Sequence, residues 1–324
     1  HRDLHSFPTR RSSDLAAITS MLLIGMAVGS LGFLGYTWYQ TESVLNYSGT
    51  ETKKVAAFYY QWFGNTTNYT QTAPYNITDN PTWWHWDMPE RSWYPPTNAC
   101  SANTPTWGWY DSADPALIEK HLREAEWAGI DAFVSSYWGK NGLEFKHFKT
   151  MIEVARAINS NVSLSPYFEI FMGGMENLEA EEQIALLTDE LGFLHDFMTN
   201  ITYKHQLWFE KGKPVVWIYV VHIISTEVWG KVISNLAEKG QDLFIVADRP
   251  HQNHAHIAQF QALHQYDVYA PIRDNNYFET FWRFKQNCKE HNQIFVAGVA
   301  PGYDDTVVRD RKSTRLNSSH RIRS

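Results

Sequence analysis

Three stretches of this chain crowd aromatic rings beside hydrogen-bonding groups, a pairing that suits the flat, hydroxyl-edged faces of sugar rings. Phe58-Tyr59-Tyr60-Gln61-Trp62-Phe63-Gly64 closes a short hydrophobic run. Trp83-Trp84-His85-Trp86 stands apart from any such run, and Ser135-Ser136-Tyr137-Trp138-Gly139 closes another. An aromatic ring offers an apolar face, and nearby hydroxyls, amides and carboxylates can take up a sugar's polar rim. Tyr59, Tyr60, Trp62, His85, Trp86 and Trp138 form the candidate sugar cradle. Successive strand residues point to opposite faces, so of Tyr59 and Tyr60 one enters the cradle and the other packs. His85 reads either as a group orienting a sugar hydroxyl or as a structural hydrogen bonder. The chain holds 14 Trp and 17 Tyr, and core and interface packing accounts for more than half of them.

Cleaving a glycosidic bond normally takes two flanking carboxyl groups, one as acid and one as base or nucleophile. Glu169 ends a predicted strand, where barrel strands present their active sites, and is the candidate carboxylate among those present. Asp131 lies within a strand and reads as structural, Asp114 as a helix cap; Asp248 follows a strand and fits either role. His251, His254 and His256 match no structural zinc spacing and no cysteine joins them. They read as a polar loop leading into a helix, so neither a metal nor a cofactor is expected. No phosphate loop, Gly-x-Ser-x-Gly elbow or cysteine nucleophile context occurs. Cys100 and Cys288 fit a disulfide or two free thiols.

The elements that must position these groups alternate. Strands are predicted at 55–60, 130–137, 162–169, 214–221, 243–247, 267–270 and 294–299, with helices at 115–128, 145–159, 178–200, 226–239, 254–264 and 278–291. Asp114-Pro115 is a helix start, with Asp as N-cap and Pro in the first turn, and Glu176-Asn177 suits another. Seven strands alternating with helices predict a (β/α)8 barrel whose eighth strand is missing. A seven-stranded parallel set leaves open edges, so the domain at 55–310 reads as incomplete. The first βα connection, 64–112, is long and carries six Trp, which argues for an ordered functional loop. A doubly wound sheet lacks its glycine-rich turn after the first strand.

Both ends read as foreign. Residues 1–15 and 311–324 are rich in Arg and Ser without apolar period, resemble translated adapter sequence, and are set aside from the fold. They carry eight Lys/Arg against two Asp, so the chain's −7 leaves −13 on the body between them. An acidic body excludes a nucleic-acid partner. Residues 16–38 carry no charge over a length that spans roughly 30 Å of hydrocarbon, and Trp38 and Tyr39 fit the interface belt. Residues 16–39 are thus expected to be a retained signal anchor, joined by a polar linker, 40–54, to an extracytoplasmic domain whose partner is oligo- or polysaccharide. Sequons at Asn46, Asn65, Asn68, Asn76, Asn161 and Asn200 permit glycosylation.

These blocks resemble glycoside hydrolase family 99 and its 99-like relatives, the endo-α-mannosidase and endo-mannanase group. The family's Phe-Tyr-Tyr-x-Trp-Tyr/Phe-Gly strand is matched at 58–64, and a His-Trp pair by His85-Trp86. Its Tyr-Ser-Ser-x-Asp-Pro segment is matched loosely at 110–115. Further blocks match at 128–139, at Gly212-Lys213-Pro214-Val215-Val216 and at Pro301-Gly302-Tyr303-Asp304-Asp305-Thr306. The resemblance implies a (β/α)8 fold, an endo-acting, retaining mechanism through the sugar's own 2-hydroxyl, and substrate contacts at Tyr167 and Tyr269. Two departures stand out. The family's His-Ile-Glu-Pro-Tyr has Ser165 in place of its Glu, with Glu169 beyond Tyr167, and a Tyr-x-Tyr pair is half kept at Tyr269. The family's catalytic glutamates sit in an Asn-Glu-Trp-x-Glu segment after the last block. No such segment occurs here, so the pair is expected beyond the chain's end and the fragment is expected to be inactive.

Overall fold

The computed structural model describes residues 53–65, 83–87, 95, 99–101, 104–249, 254–268 and 276–300. The expected adapter-like ends, membrane anchor and linker up to residue 52, and the block at 301–306, lie outside them. Among the described residues no helix is long and apolar enough to cross a membrane.

The elements run β1 (Ala56–Tyr59), α1 (Pro115–Ala128), β2 (Ala132–Tyr137), α2 (Leu143–Ala157), β3 (Ser163–Phe168), α3 (Ala180–Thr199), β4 (Phe209–Glu210), β5 (Lys213–Ile218), α4 (Thr226–Glu238), β6 (Phe244–Asp248), α5 (His254–Ile257), β7 (Ala262–His264), α6 (Tyr277–Glu290) and β8 (Ile294–Phe295). Seven strands pair in the order β1-β2-β3-β5-β6-β7-β8, all parallel. The short β4 folds antiparallel onto β5 across a two-residue turn at Lys211 (φ 50°) and Gly212 (φ 78°). Both φ values are those a primed hairpin turn requires.

The sheet buries both faces, and its strands alternate accordingly. One face sends Phe133, Leu164, Phe168, Val216, Ile218, Ile245 and Leu263 against the helices. The other gathers Val134, Tyr167, Val215, Trp217, Phe244, Val246 and Ala262 into an inner cluster. Two buried faces with helices on one side describe a sheet curled as in a barrel. Helix α1 opens where the sequence predicts: the Asp114 carboxylate accepts the N–H of Ala116 at 2.9 Å. It closes on Gly129 in the left-handed region at φ 73°. Helix α3 instead starts at Glu179, where a capping box with Glu182 satisfies the first turn, three residues past the predicted Glu176-Asn177.

One strand is displaced from its expected place. The predicted helix 254–264 amounts to a single turn, and the sixth parallel strand is Ala262–His264, ahead of the predicted 267–270, of which 269–270 lie outside the described residues. Gln-Ala-Leu-His has no strand pattern of its own. It is drawn out by partners on both sides: the Gln261 N–H reaches Ile245 O at 3.2 Å, and Ile294 N–H reaches Gln261 O at 3.0 Å. Tertiary pairing overrides local preference here. Both cysteines are free.

Candidate functional site

The parity of the inner face fixes what reaches the carboxyl ends of the strands. Continuing outward from Phe58, Val134, Tyr167, Trp217, Val246 and Ala262 gives Tyr60 after β1, Ser136 and Trp138 on and after β2, and Glu169 after β3. Tyr219 follows β5, Asp248 ends β6, and His264 and Tyr266 lie at and after β7. Ligand sites in parallel barrels lie at this end.

An aromatic wall lines one side. The Trp62 ring stacks on His85 at 4.9 Å and on Tyr60 at 4.5 Å. The Tyr60 and Tyr266 hydroxyls meet at 2.6 Å, and the Tyr266 ring stands 5.4 Å from Tyr219 at 78°. The Arg249 guanidinium lies 5.9 Å from the Tyr219 ring. Burial pushes the Tyr60 hydroxyl well above the ordinary tyrosine range, with Tyr266 and then Glu169 adding to it, so it stays protonated.

Across the mouth a short relay ends on a carboxyl group. The Trp138 indole N–H donates to Ser136 Oγ at 3.1 Å, and the Ser136 hydroxyl donates to Glu169 Oε1 at 3.4 Å. Glu169 is 7% exposed. Its carboxyl is raised from the ordinary 4.5 to about 7, chiefly by burial; the Ser136 hydrogen bond opposes the rise, and Asp248 and Glu144 add to it. A carboxyl held near neutrality can donate a proton or a hydrogen bond where an ordinary glutamate cannot. Beneath the mouth, Tyr167 and His264 are buried, and burial holds His264 down to about 3, hence neutral.

The structure thus gathers Tyr60, Trp62, His85, Trp138, Tyr167 and Glu169 at or just under one mouth, and separates two others from it. Tyr59 is the member of the Tyr pair that packs: its hydroxyl meets His121 Nδ1 at 2.9 Å and its ring stacks on Phe133 at 4.8 Å. Trp86 leaves the cradle because the long first loop needs it as its own core. It is 3% exposed, stacks on Phe63 at 4.1 Å and donates its indole N–H to Tyr110 O at 2.8 Å. Tyr269 lies outside the described residues. Asp131 is structural, accepting Val55 N–H at 2.7 Å.

Sequence reasoning missed Ser136, Tyr219 and Tyr266. The first two lie on the inward parity of strands it had placed. Tyr266 could be found only with β7 in its true place, two residues beyond His264. Among the described residues no group of three His, Cys, Asp or Glu side chains converges to hold a metal. A cavity of about 660 Å³ opens beside β1, walled largely by Tyr59, Tyr60, Tyr110, His121, Trp127 and Phe133. Among the described residues Glu124 is the one carboxylate in its largely aromatic lining.

The chain is 22% identical to a mouse glycoprotein endo-alpha-1,2-mannosidase over 275 residues, 78% of this chain and 57% of that one. It is 22% identical to a zebrafish glycoprotein endo-alpha-1,2-mannosidase-like protein, covering 93% of this chain and 73% of that one. The chain therefore spans 57% of the length of the mouse protein and of its rat counterpart. Its fold matches the family 99 endo-alpha-mannosidase of Bacteroides thetaiotaomicron with a TM-score of 0.61 at 19% identity, over 83% of this chain and 76% of that one. The sequence profile of glycosyl hydrolase family 99 matches residues 50–323, and the chain belongs to that family.

Proposed function

We propose that this domain is the glycan-binding barrel of a glycoside hydrolase acting inside α-linked, mannose-containing oligo- or polysaccharide, with retention of configuration. The observation that carries the reading is the mouth itself. A wall of Trp62, Tyr60, Tyr266 and Tyr219 faces a buried carboxyl, Glu169, held near neutrality. The wall suits a sugar face, and Glu169 suits a sugar oxygen. The mannose class is supported by the named activity of the mouse and Bacteroides relatives.

The chain's own residues bind and orient. Tyr60 and Tyr266 present hydroxyls to the sugar rim, Trp138 presents an indole face, and Glu169 donates or accepts a hydrogen bond according to pH. The Asn-Glu-Trp-x-Glu segment that the family resemblance assigns to bond cleavage does not occur in residues 1–324, and binding without turnover is what this reading expects of the chain. A non-catalytic carbohydrate-binding or glycan-assembly protein on the same barrel is the second reading. Ser165 favours it: where the family carries Glu, this residue is buried and spends its hydroxyl on Val215 O at 2.7 Å. Incubating the chain with an α-mannan oligosaccharide separates binding from cleavage. Saturable binding without new reducing ends is expected, and clear turnover would overturn the reading of chain 1–324 as binding without cleavage.

The uncharged stretch 16–38 supports an extracytoplasmic domain held at a membrane by one helix. Carbonate extraction of membranes tests it: retention in the pellet is expected, and release would overturn the anchor.

A further inference from the structure

Asp248 ties together the strand ends that carry two of the mouth's tyrosines. It is the last residue of β6 and is 0% exposed. Its Oδ2 accepts the backbone N–H of Val220, beyond β5, at 3.1 Å. Its Oδ1 accepts the N–H of Tyr266, beyond β7, at 2.8 Å. Arg249 Nε stands 3.5 Å from Oδ2, so both oxygens face donors.

The backbone held this way is strained. Val220 sits in the left-handed region at φ 43°, ψ 50°, where a β-branched residue is an outlier. Arg249 has φ 46°, and its carbonyl accepts from His222 Nδ1 at 3.0 Å. Such conformations persist only where the surroundings over-determine them, and they concentrate at functional sites. Val220 directly follows Tyr219, and Tyr266 is the residue whose hydroxyl meets Tyr60.

We propose that Asp248 is a positioning residue for glycan binding: its carboxylate fixes the backbone behind Tyr219 and Tyr266 and so sets the two rings that face the sugar. The inference rests on the reading of the mouth as a glycan site. A rigid, pre-set aromatic wall binds more tightly than one that must be ordered by its ligand.

Asp248→Asn tests it, because the side chain keeps its size but turns one acceptor into an NH₂ that opposes an N–H donor. Wild type and variant are titrated with an α-mannan oligosaccharide, followed by Trp fluorescence and by ¹H–¹⁵N spectra. The expected result is a Kd raised at least about tenfold, with the Val220 and Tyr266 amide signals displaced and exchanging faster and those of β2 unchanged. Adding Tyr266→Ala to Asp248→Asn should cost less affinity than Tyr266→Ala costs the wild type, since the ring it removes is already displaced. Binding within about twofold of wild type, or unmoved Val220 and Tyr266 amides, would overturn the inference. Should Asp248→Asn fail to fold, Tyr219→Ala and Tyr266→Ala replace it; both residues are partly exposed, and wild-type affinity in both would overturn it equally. Failure of the unsubstituted chain to bind overturns the glycan reading itself and is recognised without any variant.

Discussion

Replacing Glu169 by glutamine removes a titrating group from a site where it is 7% exposed. Burial raises the folded-state carboxyl from the ordinary 4.5 to about 7. Below the ordinary value both folded and unfolded chains hold the proton. Between the two values the folded protein keeps a proton that the unfolded chain has lost, so stability falls as pH rises through that window. At about 1.4 kcal/mol per pH unit, the window amounts to about 3 kcal/mol by the time Glu169 is ionised in the folded state. Glutamine keeps an acceptor for the Ser136 hydroxyl and does not titrate. Relative to wild type, Glu169→Gln should therefore gain nothing near about pH 4 and about 3 kcal/mol near about pH 8, titrations common to both proteins cancelling. Urea denaturation of both proteins across that range measures the difference directly. A difference that stays flat with pH would refute the buried, proton-holding glutamate.

Three further substitutions test where the structure departs from or bears out the sequence reading. Tyr59→Phe removes the hydroxyl that meets His121 and should cost about 1 kcal/mol of stability while leaving glycan affinity unchanged, by calorimetric titration. Trp86→Ala empties the core of the first loop; a loss of about 3 kcal/mol is expected, read as a lowered Tm. Asp114→Ala removes the N-cap of α1 and should cost about 1 kcal/mol with binding intact, which chemical denaturation and titration together decide.

The parallel alternation was legible because each βα unit carries its own signal. Strands such as Ala132–Tyr137 are short β-rich runs bounded by turn signals and buried on both faces, and Asp114-Pro115 announces α1. Parity was legible too: it required one of Tyr59 and Tyr60 to pack, and side-chain direction along β1 decides for Tyr59. What the sequence could not show was created by pairing at a distance. Ala262–His264 is a strand because β6 and β8 hold it on either side, and Tyr266 enters the site only through that placement. Trp86 has the composition of a sugar platform, but Phe63 stacks on its ring and the Tyr110 carbonyl takes its indole N–H, contacts that no local pattern announces. Asp248, balanced between two roles in sequence, is resolved by two backbone N–H groups from neighbouring strand ends, which no local pattern encodes.

Titration of the chain with an α-linked mannose oligosaccharide, with fluorescence and reducing-end assays on the same samples, tests the account most directly. It predicts saturable binding that Trp138→Ala weakens about tenfold, equivalent to about 1.4 kcal/mol, without release of reducing ends. No binding, or binding that Trp138→Ala leaves untouched, would contradict the mouth as the glycan site.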